Sequence, residues 1–247
     1  MIHPEQGFGD YIQFARYAPL LKARGVSRLT VFCNPSLKAL LESMGSIDAV
    51  ITDLASAPLH DYWSFPLSLP LYFGTTVDNI PATLPYLHAL PERVERWHER
   101  LSQKGFRVGL VWKGNPGHKN DANRSLPGLA ILAPIWTVPG VMFYSLQKGQ
   151  GEDEANHPPP GQPVIPLGSD IRDFADSAAI VAQMDLVICV DTAIAHLAGA
   201  LGKPCWVLLP AFGQTGAGFW IVRLALVSRS DAYFPSIEYE RLARMHR

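Results

Sequence analysis

The stretch 185–210, DLVICVDTAIAHLAGALGKPCWVLLP, leaves this chain few folds to choose from. A continuous apolar run, Leu186 to Val190, stops at Asp191-Thr192, and Ile194, Leu197, Ala198 and Leu201 then recur at helical spacing. Gly202 and Pro204 end the helical pattern, and a second apolar run, Cys205 to Leu209, ends at Pro210. Strand, helix, strand over so short a distance is the parallel crossover unit, and neither strand alternates with polar residues, the pattern of a sheet covered on both faces by helices. The reading is therefore α/β with a parallel sheet, and Asp191-Thr192 lies at the carboxyl end of a buried strand. Open sheets of this kind bind ligands there, where the next helix presents unpaired N–H groups and the positive end of its dipole. Two readings stay open at this point: Asp191 or Thr192 caps the helix, or the pair seats a diphosphate. His196, one turn inside, is either a packed helix residue or part of that seat.

Composition narrows the partners. With 247 residues, 48% hydrophobic and 17% charged, the chain has material for one large or two modest cores. A formal net charge of -1 argues against a nucleic-acid surface, so an anion site must be local. No apolar run is long enough to span a bilayer and the N-terminus lacks a signal-peptide layout, which makes a cytoplasmic, soluble protein the expectation. Cys33, Cys189 and Cys205 are scattered without metal-ligand spacing and read as reduced core residues, with no metal expected.

Along the chain, a Gly-rich turn (Gly7, Gly9, Asp10) precedes a helix with the apolar face Ile12, Phe14, Ala15, Ala18, Leu20 and Leu21, ended by Gly25. Only Met1 to Pro4 precede that turn, so the first strand is expected to be a stub. A strand at Leu29 to Cys33, a helix opened by Asn34-Pro35 and running to Met44, and a strand at Ala49 to Thr52 continue a βαβ rhythm. Residues 53–91 are rich in loops, prolines and aromatics such as Tyr62, Trp63, Phe65 and Tyr72, which either line an acceptor cleft or pack over a sheet edge. An exposed helix over Glu92 to Lys104 leads to a boundary near Gly105.

A second α/β unit follows. The strand Phe106 to Trp112 runs into KGNPGHKNDANRSLP, which carries Lys113 and Arg124 and reads as an anion-binding loop or a solvated surface loop. A helix near Leu129 to Trp136, a strand at Val141 to Leu146 and the turn Gln147-Lys148-Gly149 come next. The segment Gly151 to Gly168 reads as a mobile or extended loop, and Asp170 to Met184 as an amphipathic helix. Three polar turns, at Lys113 to Arg124, Lys148 and Asp191-Thr192, thus fall at the ends of three strands of one sheet and point to a nucleotide-type ligand. A dinucleotide-dependent oxidoreductase is disfavoured, because no G-x-G-x-x-G follows a strand.

Five blocks in order carry a resemblance: HPEQGFGDYIQFARYAPLL, HDYWSFPLSLPLYFGTTVDNIPATLPYL, RVGLVWKGNPGHKNDANRSLP, FYSLQKG and DIRDFADSAAIVAQMDLVICVDTAIAHLAGALGKPCWVLLP. They resemble the catalytic region often found behind tetratricopeptide repeats in bacterial proteins. That region is similar to the family-nine heptosyltransferases and, more distantly, to the O-linked N-acetylglucosamine transferases. The resemblance implies a GT-B-like fold of two facing Rossmann-like domains with parallel sheets: residues 1–104, the acceptor domain, truncated at its first strand; residues 105–222, the nucleotide-sugar domain; and an atypical tail at 223–247. It implies transfer of a sugar from a nucleoside diphosphate sugar, the donor substrate, to a glycan, lipid-linked or protein hydroxyl, with no cofactor. A non-catalytic nucleotide-sugar or glycan-binding remnant is the alternative.

By motif, Asp10 becomes the general base, with Gly7, Gly9 and Gln13 forming the acceptor-side turn. Asp191, Thr192, Ala193 and His196 become donor-diphosphate ligands, Ala193 standing where many relatives carry glycine. Lys113, Arg124 and Lys148 neutralise the departing nucleoside diphosphate.

After Pro210, relatives continue with Asp-Trp-Arg-Trp, whereas this chain has Gln214-Thr215-Gly216-Ala217-Gly218. The codons CAG-ACT-GGC-GCT-GGN for the latter spell the former one frame over, so a frameshift is the expected origin of the tail. The nucleotide sequence checks this: an alternative frame across codons 212 to 235 must spell the family tail, or the idea fails. A tail so produced leaves the apolar run Trp220 to Val227 exposed, swapped or self-associating.

Overall fold

The computed structural model describes residues 1–209 and 223–226. In the N-terminal part, helices α1 (Phe8–Phe14) and α2 (Ala18–Ala23) are followed by β1 (Thr30–Phe32), α3 (Pro35–Glu42) and β2 (Ala49–Ile51). Short 3-10 turns, α4 (Leu69–Tyr72) and α5 (Pro91–His98) complete it. β1 and β2 pair in parallel, and Ile2 makes single parallel bridges to Val31 and Ser64. The expected first-strand stub is thus one bridge long. The single helix expected after the Gly-rich turn is two helices joined by a 3-10 turn at Ala15–Tyr17. Pro19 supplies the physical reason: it lies in the first turn of α2 and has no N–H to donate to the Ala15 carbonyl, which breaks the helical ladder there. Asn34 caps α3 as its sequence predicts, its side chain accepting the Ser36 N–H at 3.0 Å.

The C-terminal part is one sheet of six strands: β3 (Phe106–Val111), β4 (Val141–Ser145), β5 (Ile165–Pro166), β6 (Leu186–Val190), β7 (Cys205–Leu209) and β8 (Arg223–Leu226). Their spatial order is β5-β4-β3-β6-β7-β8, parallel except for β8, which runs antiparallel to β7. The backbone at 223–226 therefore extends the sheet at its edge. The rest of the tail, and its proposed frameshift origin and self-association, lie outside the described residues. Helices α6 (Asp121–Arg124), α7 (Glu152–Asn156), α8 (Phe174–Ala182) and α9 (Ala193–Ala200) and a 3-10 helix at Leu129–Thr137 fill the connections.

Two expectations are corrected here. Gly151 to Gly168 is not an extended loop, since it holds α7 and β5. Nor is α8 amphipathic. It is buried from Ala175 to Val181, because it is wedged between the large sheet and helices α3 and α5, and Ala175, Ala178 and Ala179 let those neighbours come close.

The large sheet is buried on both faces. Val108, Leu110, Phe143, Ile188 and Val190 point to the side covered by the 3-10 helix and α7. The opposite face belongs to a continuous core that also takes in Tyr11, Ile12, Leu37, Leu41 and Trp97 of the N-terminal part. The two parts meet where α1 packs on α9 and where α3 and α5 pack on α8. The amides of Tyr86 and Leu87 both donate to the Ala200 carbonyl, closing the end of α9. The three cysteines are free and buried, Cys189 Sγ lying 3.7 Å from Cys205 Sγ across adjacent strands.

Candidate functional site

The site starts where β6 ends. Thr192 has extended backbone at the N-cap of α9, yet no side chain caps that helix. The capping reading of Asp191-Thr192 is thereby overturned: the Ala195 N–H donates to the Thr192 carbonyl at 3.0 Å, and the N–H groups of Ala193 and Ile194 are left for a ligand. Thr192 Oγ1 is buried and has no hydrogen-bond partner of normal geometry. The nearby Cys189 thiol is a weak partner, and its pKa is pushed up by the Cys205 thiol, burial and Asp191. A buried, unmatched hydroxyl beside open helix amides costs free energy unless something fills the place.

Helix α1 brings its own N-terminus to the same spot. Gly9 allows this: a Cβ there would stand 2.6 Å from His196 Cδ2 and 3.4 Å from the Ala193 Cα. At N3 of α1, Asp10 accepts the Gly7 N–H through Oδ2 at 3.0 Å, so one carboxylate oxygen orders the turn. His196 lies between the two acidic residues. Burial lowers its pKa, opposed by Asp191 and Asp10 and assisted by Arg16, so its ring is neutral at pH 7. Gln13 is buried one turn on, and its carbonyl accepts from Arg16 Nε at 2.9 Å. The rest of the Arg16 guanidinium is braced by the Pro81 carbonyl and the Tyr86 hydroxyl. Sequence reasoning missed this arginine, which is one cation at the α1–α9 junction. It lies in the first of the five blocks quoted above, three residues after Gln13.

The other basic candidates sit in neighbouring loops. Strand order β4-β3-β6 places the turns of Lys148, Lys113 and Asp191 side by side. Lys113 Nζ donates to the Pro127 carbonyl at 2.8 Å and Lys148 Nζ to the Gly168 carbonyl at 3.1 Å. Arg124 packs against Gly114, its Nε 3.8 Å from Asp121 Oδ1. Both lysine ammonium groups thus have a local acceptor, whereas the buried Arg124 Nε has no hydrogen-bond partner, only the Asp121 ion pair; Gly9, Ala193 and His196 meet at the α1–α9 contact, with Asp10 and Thr192 adjoining them.

The Lys113–Arg124 loop is not a free surface loop. Asp121 and Ser125 are buried in it, Ser125 Oγ donating to Asp121 Oδ1 at 2.7 Å and accepting the Gly114 N–H at 2.8 Å. Gln147 joins this loop to the next one. Its Oε1 accepts the amides of Trp112 and Lys113, both at 2.9 Å, while Nε2 donates to the carbonyls of Lys113 and Gln150. Nothing local in the sequence distinguishes this glutamine from a solvated turn residue.

Residues 170–240 match the sequence model of glycosyltransferase family 9 (heptosyltransferase). The chain is 29% identical over 243 residues to Protein FlbA of Caulobacter vibrioides, covering 89% of this chain and 40% of that protein. It therefore spans about two fifths of the length of that relative. Among solved structures, E. coli ADP-heptose lps heptosyltransferase II aligns over 99% of this chain and 97% of its own at TM-score 0.62 and 13% identity. The glycosyl transferase family 9 structure from Veillonella parvula aligns over 98% and 90% at TM-score 0.62 and 14% identity. E. coli heptosyltransferase WaaC with ADP-2-deoxy-2-fluoro heptose aligns over 100% and 99% at TM-score 0.54 and 11% identity. The architecture is GT-B-like, and the chain is similar to glycosyltransferase family 9 in sequence over residues 170–240 and to heptosyltransferases in fold over nearly its whole length.

Proposed function

We propose that this chain transfers a sugar from a nucleoside diphosphate donor to a hydroxyl acceptor, with the diphosphate seated on the N-terminus of α9 and Asp10 as general base. The observation that carries this reading is the first turn of α9, uncapped by any side chain, with the buried hydroxyl of Thr192 beside it, whose one neighbour is the weak Cys189 thiol. Helix amides and the hydroxyl supply donors to phosphate oxygens without reorganisation, and the dipole favours the negative charge. The free lone pairs of the Asp10 carboxylate take the acceptor proton as the acceptor oxygen bonds to the anomeric carbon and the bond to the diphosphate oxygen breaks. Arg16 at the α1–α9 junction, and the remaining ammonium donors of Lys113 and Lys148 with Arg124 in the neighbouring loops, lower the cost of the charge left on the nucleoside diphosphate. In this reading residues 1–104 hold the acceptor, a glycan, lipid-linked or protein hydroxyl, and residues 105–222 hold the donor. Adenosine diphosphate is the first donor fragment to test, since the WaaC structures carry it.

Isothermal titration of ADP and UDP against wild type and Thr192→Val tests the seat. Losing a hydrogen bond to a charged group predicts about tenfold weaker binding. The free variant is expected to melt no lower than wild type, because no cap bond is removed, whereas a capping role predicts a loss of about 1 kcal/mol. Equal nucleotide affinity in the two proteins, or no binding of either nucleotide to wild type, overturns the reading. Binding without turnover against any acceptor favours the alternative of a non-catalytic nucleotide-sugar-binding chain.

A further inference from the structure

The carboxyl ends of the small sheet carry a group of rings that the donor reading does not use. Ile2, Val31 and Ser64 run parallel there, so His3, Phe32 and Phe65 emerge together at one edge. His3 packs edge-on to Phe32 and Trp63, with ring centres 6.1 and 5.4 Å apart, and Trp63 packs edge-on to Phe65 at 5.2 Å. These contacts hold the indole in place while leaving it 59% exposed, and Tyr62 beside it is 85% exposed. An exposed aromatic face packed from behind by other rings is a surface with binding energy unspent.

The same edge borders the proposed base. The Tyr11 hydroxyl, on the residue next to Asp10, donates to the Phe32 carbonyl at 2.6 Å, so the first turn of α1 lies over these strand ends. His3 precedes Gly7, the N-cap of α1, by only four residues. Parallel sheets hold ligands outside their carboxyl edges, which places the ring group where the body of an acceptor would lie.

Charge then selects the acceptor. From residue 39 to residue 92 the sequence has no Lys or Arg, while Asp53 and Asp61 flank the aromatic stretch. Asp53, just beyond β2, caps the following 3-10 turn through one oxygen, accepting the Ala55 N–H at 3.0 Å. Burial, His60 and the N-terminal amine all lower the pKa of His3, so it adds no positive charge at neutral pH. Within residues 39–92 a phosphorylated acceptor finds acidic side chains and no Lys or Arg to pair with. A neutral pyranose fits, with its C–H face on the indole and its hydroxyls toward the carboxylates.

We propose that Trp63, framed by His3 and Phe65, is the stacking platform for a neutral sugar ring of the acceptor. This rests on the reading of Asp10 as the base on the acceptor side. Saturation-transfer NMR with methyl glycosides of glucose, galactose, mannose and N-acetylglucosamine, and with their 6-phosphates, tests it on wild type, Trp63→Ala and Trp63→Phe. At least one neutral glycoside is expected to receive saturation at its ring C–H protons from wild type and Trp63→Phe. Its affinity is expected to fall at least tenfold in Trp63→Ala, with ADP affinity equal in all three proteins. Tighter binding of a 6-phosphate than of its neutral parent, unchanged affinity in Trp63→Ala, or no glycoside binding by protein that binds ADP overturns the proposal and leaves the donor reading standing. Loss of ADP binding by wild type overturns the donor reading instead.

Discussion

Replacing Asp176 by alanine is expected to lower the stability of the chain by about 3 kcal/mol, measured by urea unfolding with the slope unchanged. Asp176 is 0% exposed on α8, and its two oxygens accept from three arginines on two segments. Arg93 Nη1 reaches Oδ1 at 2.6 Å, Arg96 Nη2 shares that oxygen, and Arg172 donates to Oδ2 through its backbone amide at 3.1 Å and Nε at 3.2 Å. Asp173 takes a further bond from Arg93 at 3.3 Å. The carboxylate is thus the joint between α5 of the N-terminal part and α8 beneath the large sheet. Removing it leaves Arg93, whose side chain is only 21% exposed, with the longer Asp173 bond and without the carboxylate that separates it from Arg96. The effect stays near the bottom of the range for a broken buried pair because the Arg96 and Arg172 side chains, 37% and 61% exposed, reach water. A loss below about 1 kcal/mol would show that the joint contributes no more than a surface ion pair.

Changing Asp10 to asparagine is expected to cut sugar transfer by about 10² to 10⁴-fold while leaving ADP affinity unchanged. The amide oxygen of asparagine still accepts the Gly7 N–H, so the turn and the α1–α9 contact survive, and only the capacity to take a proton is lost. Single-turnover transfer from an ADP-sugar, read beside nucleotide titration, separates the two effects. A rate within threefold of wild type removes Asp10 from the mechanism. Equal losses in rate and in nucleotide affinity mean that the residue holds the turn and does no proton chemistry.

Much of the local architecture was legible because its signals are local. Asn34-Pro35 starts a helix because an amide side chain can accept an early N–H and a proline there gives up none that is needed. The unbroken apolar runs at Leu186–Val190 and Cys205–Leu209 form parallel strands because both of their faces are covered. Where the reading failed, the cause lay elsewhere in the chain. α7 has five residues, three acidic ones in its first turn and only Ala155 buried, so it shows no period to detect. α8 looked amphipathic because Asp173 and Asp176 interrupt its apolar run, yet arginines from α5 neutralise both and let the whole helix go under.

The candidate site divides in the same way. By itself the sequence determined that Asp191-Thr192 ends a buried strand and opens a helix, and that Gly9-Asp10 opens another, because chain breaks and helix starts are written in a few adjacent residues. Only the tertiary structure decided that these two openings touch, Gly9 leaving room for His196 and Ala193. It also decided that Thr192 caps nothing, that Lys113 and Lys148 each give a donor to a nearby backbone carbonyl, and that His3, Trp63 and Phe65 share one edge. Each of these depends on which groups meet across tens of residues. That is settled by packing one buried face against another, and no short stretch of sequence contains it.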